Sequence, residues 1–224
     1  SAASDVYKRQ VVDSGSQDKT VEIARALNAT VLETDWPGYG IQKQRALELA
    51  KEPWVLSLDA DEFIEHDGQI KLLQSIKNQD ADAFRLPIKM MFQNQKLNFA
   101  GCVSKHVRLF KRSGAQFSCD KVHEKIILPP QSRIKYCSAI IRHESYQDWA
   151  DAIHKMNHYS SLSASQRYKK TGLTQACFAS CWLLLQNLLL KGWILDGRLG
   201  FMLAMYQAQG SWYRYLKQVH RDVN

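Results

Sequence analysis

Apolar and polar positions in the first third of the chain alternate between the short period of a strand and the longer period of a helix. Short apolar runs bounded by turn residues predict strands at residues 11–12, 30–33 and 54–58. Apolar residues three or four apart predict helices at residues 18–29, 41–51 and around 70–76. Because strands that alternate with helices are typical of βαβ units, the pattern predicts a mostly parallel sheet.

The pattern changes after residue 82 and again at residue 146. Alternating apolar residues predict strands at residues 83–92, 107–111, 122–128 and 134–142. Helical spacing follows, with predicted helices at residues 149–162, 173–190 and 198–220. The sequence therefore predicts an α/β domain over residues 11–145 and a carboxyl-terminal helical extension over residues 146–224. Residues 1–10 lack a clear period and are interpreted as a scar outside the fold.

The composition is that of an ordinary globular protein, with 45% hydrophobic and 23% charged residues among 224. The net charge of +8 is uneven, because residues 1–100 hold 12 Lys+Arg against 15 Asp+Glu and residues 101–224 hold 18 against 7. A basic second half predicts an anionic partner, which composition leaves open among nucleic acid, a membrane surface and a phosphorylated substrate. Five cysteines without a C-x-x-C pair argue against a zinc site and indicate a reducing, cytoplasmic environment.

The strongest signal for chemistry is the acidic motif Asp59-Ala60-Asp61-Glu62, which directly follows the predicted strand at residues 54–58. Side chains two residues apart in an extended segment share a face, and open α/β folds bind ligands at the carboxyl edge of the sheet. Asp59 and Asp61 can therefore converge on one hard cation, and Mg²⁺ or Mn²⁺ would suit their oxygen atoms and bridge to a diphosphate. The alternative is a solvated acidic turn.

Other functions of the same motif are weaker or stay open. An EF-hand loop starting at Asp59 would need Gly and Glu where Ile64 and Ile70 stand, so it is excluded. A phosphatase of the haloacid-dehalogenase type, with Asp59 as nucleophile, usually has Thr or Val where Phe63 stands, which weakens this alternative without excluding it. A third alternative is a non-enzymatic basic module that binds a membrane or nucleic acid.

A second signal is the segment VVDSGSQDKT at residues 11–20. Asp13, at the end of a strand, could offer its carboxylate to a base or a ribose, whereas Ser16 or Asp18 is expected to cap the helix that follows. Neither a G-x-G-x-x-G nor a Walker motif occurs in the sequence. The interpretations as a Rossmann dehydrogenase or a P-loop protein therefore lose their main evidence.

Three motifs together resemble the family 2 inverting glycosyltransferases of the GT-A (Rossmann-like) fold: VVDSGSxDxT, W-x-G-Y-G-x-Q-K at residues 36–43 and WVLSLDADE at residues 54–62. The nearest similarity is to bacterial lipopolysaccharide core glycosyltransferases, and it extends over nearly all of residues 11–220. Later matches are RLFKR at residues 108–112, Val-His-Glu ending at Glu124, and Lys-Gly-Trp with Asp-Gly at residues 191–197. The family begins with a further strand and helix, so the resemblance implies an amino-terminally truncated domain.

The resemblance also implies roles for individual residues. Asp13 matches the Asp that contacts the nucleotide base, and Lys43 lies in the segment beside the nucleotide. Asp59 and Asp61 match the DxD pair that holds the metal, Mg²⁺ or Mn²⁺, and the sugar diphosphate. The implied donor is a nucleotide-sugar, expected to be a UDP-sugar, and the implied acceptor is a lipid-linked saccharide, with no nucleic acid partner.

Inverting transfer needs a base that deprotonates the acceptor hydroxyl. The resemblance puts an acidic residue near the acceptor at Glu124, and Asp120 is the second candidate. For Glu124 the alternative is a surface acid paired with the flanking Lys121 or Lys125. His143 could assist a metal or phosphate, but a lone histidine on a strand is more often structural, so we expect a structural role.

The predicted helix at residues 173–190 bears on membrane association. Ser180, Asn187 and Lys191 fall on one narrow stripe, and the remaining positions are apolar. Such a helix packs in a core, meets a partner or lies in a bilayer interface. The longest apolar stretch, residues 176–190, contains Ser180, Gln186 and Asn187, and we expect it to fall short of the roughly 18–20 residues of a bilayer span. The sequence thus predicts peripheral association at the cytoplasmic face of the inner membrane, with a hairpin packed on the sheet as the alternative.

Overall fold

A computed structural model describes residues 8–100, 104–119, 124–166 and 172–219. The chain divides into two compact units. The first comprises Ser1–Asp59, Glu65–Pro87 and Lys105–Ala139, and the second comprises Ala60–Ile64, Ile88–Ser104 and Ile140–Asn224. Each unit is described by itself below.

The first unit contains the alternating strands and helices that the sequence predicts. Its strands are β1 (Gln10–Asp13), β2 (Thr30–Glu33), β3 (Trp54–Leu56), the first part of β5 (Ala83–Phe92), most of β7 (Ser104–Lys111), β8 (Gln116–Phe117), β9 (Ile126–Ile127) and β10 (Ile134–Tyr136). Its helices are α1 (Thr20–Ala26), α2 (Tyr39–Leu49) and α3 (His66–Lys77).

Strand pairing in this unit is mixed in direction. Strands β1 and β2 are parallel, and so are β10 and β5. Strands β3 and β7 are antiparallel, with Leu56 opposite Leu109, and β8 and β9 form a short antiparallel pair. Packed side chains from α2 and from these strands form the core, whose buried members are Leu47, Ala83, Phe110, Ala115 and Phe117.

The second unit combines a small sheet with the helices of the carboxyl-terminal part. It contains β4 (Glu62–Ile64), the second part of β5, β6 (Gln95–Lys96), β11 (Ile141–Tyr146), α4 (Trp149–Gln166), α5 (Leu173–Leu185), a π-helix (Gln186–Leu190), a 3₁₀ helix (Trp193–Asp196) and α6 (Gly197–Val219). Strand β11 pairs in parallel with β5 and antiparallel with β4, and β6 pairs antiparallel with β5.

The core of the second unit is built around Trp193, which is 1% exposed. It packs with Phe92, Leu97, Ala100, Ala152, Leu203 and Ala204. The carboxylate of Asp196 fastens the loop after β6 to this core, since it accepts backbone N–H groups from Asn98 and Phe99 at 3.0 and 2.8 Å and also from Ala100. The Lys-Gly-Trp and Asp-Gly motifs of the sequence therefore have a structural task in this unit.

The structure confirms the α/β class and the carboxyl-terminal helical extension, and it corrects three details. The sheet is mixed, because four of the seven strand pairings described above are antiparallel. The strand predicted at residues 134–142 is two strands, β10 and β11, which pair with different parts of β5. Of the strand predicted at residues 122–128, Ile126–Ile127 is extended, and residues 122–123 lie outside the described residues.

A further correction concerns the apolar helix. Helix α5 runs directly into the π-helix, so that Leu173–Leu190 forms one helical segment of 18 residues with a mean hydropathy of 1.4. By length and composition alone this segment is able to cross a membrane, and 17% of it is buried. The expectation that it falls short of a span is therefore wrong as a statement about length.

Candidate active site

Asp59 follows the end of β3 and is held between two cations of the first unit. Lys43 of α2 brings its Nζ to 2.7 Å from Asp59 Oδ1, and Arg108 of β7 brings a terminal guanidinium nitrogen to 3.1 Å from Oδ2. Arg108 reaches this position because β7 pairs with β3, and the Ser57 N–H donates to the Arg108 carbonyl at 2.8 Å. The sheet register therefore sets the distance between this carboxylate and this guanidinium.

Lys43 also binds Glu124. Its Nζ lies 2.6 Å from Glu124 Oε1, and the two side chains are 17% and 16% exposed. One ammonium group thus bridges two carboxylates that are distant in sequence. With Arg108, the cluster holds two positive and two negative charges in a largely enclosed position, where Coulomb interactions are stronger than at the surface. We refer to Lys43, Asp59, Arg108 and Glu124 as the charged cluster.

The charged cluster alters the ionisation of its neighbours. Burial of Asp59 opposes ionisation, but Arg108 and Lys43 outweigh this effect and hold the pKa of Asp59 below its usual 3.8. Burial, together with the charges of Arg108 and Lys43, lowers the pKa of His106 below its usual 6.5. At neutral pH the region therefore contains an ionised Asp59 and an uncharged His106.

Asp13 organises the loop after β1. Its carboxylate accepts the backbone N–H groups of Gly15 and Ser16, both at 2.9 Å, and the Ser16 hydroxyl. The Ser16 hydroxyl and these N–H groups lower the pKa of Asp13. Gln42 of α2 donates to the Ser14 hydroxyl of the same loop, so α2 contacts both this loop and the charged cluster. Just before α1, Asp18 accepts the Thr20 N–H at 2.9 Å, but the N-cap residue is Lys19 and has no side-chain cap, so the expectation that Ser16 or Asp18 caps this helix is wrong.

Asp61 belongs to the second unit and has a different set of contacts. His143 Nε2 lies 2.9 Å from Asp61 Oδ2, and Ser145 Oγ lies 3.1 Å from His143 Nδ1. Backbone pairing supports this arrangement, because the Glu144 N–H donates to the Asp61 carbonyl at 2.9 Å. The Asp61 side chain is 49% exposed, so solvent and solutes reach it.

The predicted site residues are thus found in separate sets of contacts. The structure brings Lys43, Asp59 and Glu124 together, while Asp13 bonds within its own loop and Asp61 pairs with His143. Asp120 lies outside the described residues. Within residues 8–100, 104–119, 124–166 and 172–219, no group of three or more His, Cys, Asp or Glu side chains is arranged to hold a metal.

Two contacts of this region were not predicted. Arg108 appeared in the sequence only as part of a basic run, and its pairing with Asp59 depends on the antiparallel register of β3 and β7. A prediction that these strands are neighbours would have suggested the contact. Gln44 accepts the Phe117 N–H at 2.9 Å and so anchors β8 to α2 beside Lys43.

Comparisons with known proteins identify the family. Residues 5–100 match the family model for glycosyl transferase family 2. An uncharacterized glycosyltransferase of Rickettsia typhi is 30% identical over 171 residues, which are 71% of this chain and 59% of that protein. A second one, from Rickettsia prowazekii, is 28% identical over 206 residues, or 86% of this chain and 70% of that protein.

Two further comparisons carry more specific names. The lipopolysaccharide core biosynthesis glycosyltransferase LpsC of Rhizobium meliloti is 28% identical over 172 residues, 70% of this chain and 61% of that protein. The crystal structure of Staphylococcus aureus TarS 1–349 is similar over 99% of this chain and 84% of that one, with a TM-score of 0.45 and 16% identity. The family match and the similarity to the Rickettsia proteins lead to one conclusion: residues 5–100 form a glycosyl transferase family 2 domain.

Proposed function

We propose that this protein is an inverting glycosyltransferase that moves a sugar from a nucleotide-sugar, a UDP-sugar, to a hydroxyl of a lipid-linked saccharide. The observation that carries the proposal is the charged cluster within a family 2 chain, where Lys43 contacts both Asp59 and Glu124. Such a cluster offers cations to a diphosphate and a carboxylate to a hydroxyl. These are the two demands of inverting sugar transfer.

Donor binding would depend on the cations of the charged cluster. The Lys43 ammonium and the Arg108 guanidinium are pre-positioned donors, which favours the negative charge that develops on a departing diphosphate. Asp13 would shape the loop that meets the nucleotide, because its carboxylate orders the N–H groups of Gly15 and Ser16. The order of this loop before the donor arrives would lower the entropic cost of binding.

The proposal includes a divalent cation held by the carboxylates of the acidic motif. Mg²⁺ and Mn²⁺ prefer oxygen ligands, and Asp59 and Asp61 supply oxygen atoms two residues apart in the chain. When bound, the metal would neutralise charge on the diphosphate leaving group. Both carboxylates already have positively charged or polar partners, Lys43 and Arg108 for Asp59 and His143 for Asp61, which hold them in position.

Glu124 is the proposed base, with Asp120 as the second candidate. The Glu124 carboxylate would accept the proton of the acceptor hydroxyl while that oxygen forms a bond to the anomeric carbon. The bond between this carbon and the diphosphate oxygen breaks, and the electron pair leaves with the nucleoside diphosphate. Lys43 holds Glu124 on one oxygen atom, so it would act as a positioning residue for the base.

The acceptor and the location follow from one relative and from the helical extension. LpsC is named for lipopolysaccharide core biosynthesis, which favours a core saccharide on a lipid as the acceptor here. A basic second half, +11 over residues 101–224, suits an anionic surface. We therefore propose that the protein works at the cytoplasmic face of the inner membrane.

Calorimetric titration with a panel of UDP-sugars, in Mg²⁺ or Mn²⁺, tests this function. Asp59→Asn removes a charge from the charged cluster and should weaken donor binding in the titration, and in a transfer assay it should cut turnover by at least about a hundredfold, the scale of losing one electrostatic stabiliser. Asp82→Asn is the matched control, because Asp82 is also held by a lysine and an arginine, Lys111 and Arg133. Equal losses in both variants would contradict a specific role of Asp59.

A further inference from the structure

Helix α5 and the π-helix that continues it expose an apolar face, and their opposite, buried face includes polar side chains. Large apolar side chains recur at spacings of four, three and four residues, which puts them along one face. They are Phe178, Trp182, Leu185 and Leu189, with exposed fractions of 73%, 51%, 49% and 68%. The opposite face is buried and carries Ala176, Ser180 and Asn187.

Two polar side chains of this helix, Ser180 and Asn187, are therefore turned inward. Asn187 is fully buried, and its Nδ2 donates to Gln207 Oε1 of α6 at 3.1 Å. Ser180 is also buried, and its hydroxyl has no hydrogen-bond partner among the described residues. A helix in water normally buries its apolar stripe and exposes its polar one. Helices in lipid join through buried polar groups and small residues, which is the arrangement found here.

Further exposed apolar side chains lie at the end of the π-helix, in the 3₁₀ helix and on α6. Leu190, Ile194, Leu195 and Phe201 are 71%, 49%, 68% and 46% exposed. We refer to these four residues, with Phe178, Trp182, Leu185 and Leu189, as the apolar surface. Contiguous exposed apolar areas of this kind mark sites of interaction with a membrane or a protein.

The net charge of the segment that carries the apolar surface favours an anionic lipid over a second copy of the chain. Residues 172–219 contain four basic residues and one acidic residue, Asp196, for a net charge of 4 − 1 = +3. Asp196 is occupied by the N–H groups of residues 98–100. Lys191 lies beside the apolar surface with its Nζ 5.9 Å from the centre of the Trp193 ring. Two positively charged copies would repel each other, whereas anionic headgroups would attract this border.

We infer that the apolar surface is seated in the interfacial region of an anionic phospholipid bilayer, with α5 and the π-helix lying in the plane of the membrane. Although Leu173–Leu190 is long enough to cross, it packs against α6, which carries Arg198, Arg214 and Lys217 and so favours the interface. The inference deepens the proposed membrane location and rests on it, but it is independent of which sugar is transferred.

Vesicle sedimentation of the whole chain tests the inference, with phosphatidylglycerol-containing and pure phosphatidylcholine vesicles as probes. The triple variant Phe178→Ser/Leu185→Ser/Leu189→Ser should reduce partitioning into anionic vesicles by about tenfold or more, because it removes apolar area that the bilayer would bury. The control Ile23→Ser/Ile153→Ser/Tyr159→Ser changes side chains that are 56%, 54% and 60% exposed outside the apolar surface. It should partition like the parent.

A second measurement uses the parent and one conservative variant, so it does not depend on the fold of the triple variant. Acyl-brominated phosphatidylglycerol should quench tryptophan emission of the parent, and Trp182→Phe should lose part of that quenching. Equal partitioning of the triple variant and the control, or no quenching of the parent, would overturn the inference. So would a dimer in vesicle-free ultracentrifugation that the triple variant abolishes. UDP-sugar binding without vesicles should be unchanged in the triple variant, which separates this failure from failure of the proposed transferase function.

Discussion

Lys43 is the residue on which the account of the site depends most. Its single ammonium group contacts both Asp59 and Glu124. In the proposed mechanism Asp59 serves the diphosphate leaving group and Glu124 is the base. Without the Lys43 charge, the carboxylates of Asp59 and Glu124 would lose the cation that they share in a largely enclosed position. Asp59 would keep its ion pair with Arg108. Truncating one partner of such a buried pair is costly because the remaining charge is left without compensation.

Lys43→Met should therefore weaken UDP-sugar binding by at least about tenfold, since it keeps the length of the side chain and removes the charge. Lys111→Met is the matched control, because Lys111 forms a comparable 2.8 Å ion pair with Asp82 away from the charged cluster. Calorimetry with the preferred UDP-sugar measures both. Unchanged affinity in Lys43→Met would remove Lys43 from the donor site.

Glu124→Gln should separate the two halves of the reaction. Gln keeps the shape and one acceptor oxygen but cannot take the proton of the hydroxyl, so kcat should fall by about a hundredfold or more while donor affinity is retained. Steady-state kinetics together with donor titration measure the split. If Asp120→Asn is inactive and Glu124→Gln is near normal, Asp120 is the base.

The sequence singles out the acidic candidates of the proposed site, but it could not predict their contacts. Asp59 and Glu124 stand in recognisable motifs, so the sequence singles them out. The bridge through Lys43 and the pairing of Asp59 with Arg108 depend on the register of β3 against β7 and on the packing of α2. The alternative interpretation paired Glu124 with its sequence neighbour Lys121 or Lys125, whereas the described contact is with Lys43.

At the scale of elements, Asp82 ties together the ends of three strands. Asp82 directly precedes β5. Its carboxylate accepts a hydrogen bond from Lys111 Nζ, at the end of β7, at 2.8 Å, and one from the Arg133 N–H, just before β10, at 2.9 Å. The hydrogen bonds from Lys111 and Arg133 lower the pKa of Asp82 to about 2, against 3.8 ordinarily. A depressed pKa means that the folded protein favours the ionised form.

Asp82 should therefore contribute stability that is present above about pH 4 and is lost as the pH falls toward about 2. In Asp82→Asn this contribution is absent at every pH, so stability should depend less steeply on pH across that range. Urea unfolding at a series of acidic pH values measures the difference. Glu52→Gln, at an exposed position of the same unit, serves as the control, and an equal change of slope in both variants would contradict the assignment.

The loop held by Asp196 gives a prediction for the second unit. Asp196→Ala leaves three backbone N–H groups without their acceptor and should lower the free energy of unfolding by about 1–3 kcal/mol. Asp196→Asn, which keeps one acceptor oxygen, should lose less. Urea unfolding measures both, and equal stability of Asp196→Ala and the parent would show that water replaces the carboxylate without cost.

The bounds of the elements were predicted well where a helical period continues over many residues, and poorly where strand pairing sets the ends of a strand. The helices α4, α5 and α6 carry apolar residues at helical spacing and were predicted close to their observed bounds. The strand predicted at residues 134–142 is divided because Ile134 pairs with Ala83 and Ile141 with Ile88. Residues 137–140 of this segment thus correspond to residues 86–87 of β5, so the segment has two residues more than β5 between its paired parts. This mismatch is invisible in the sequence.

For the whole molecule, the two compact units are not two successive stretches of the chain, because each unit is built from three separate segments. The helices after residue 146 share their compact unit with Ile88–Ser104 and with Ala60–Ile64, the segment that contains Asp61. The boundary near residue 145 stays a prediction about domains. Asp59 and Asp61 belong to different units, although they form one motif in the sequence. Local sequence therefore indicates the chemistry of the motif better than it indicates which part of the fold supports each carboxylate.

Mass detection of sugar transfer tests the central claim most directly. The protein is incubated with its preferred UDP-sugar, Mg²⁺ or Mn²⁺ and a lipid-linked core saccharide. We predict that the acceptor gains the mass of one sugar residue with the parent and with Asp82→Asn, and that Asp59→Asn or excess EDTA reduces this gain by about a hundredfold. Full transfer by Asp59→Asn in EDTA, or phosphoester hydrolysis by the parent without any sugar transfer, would contradict the account.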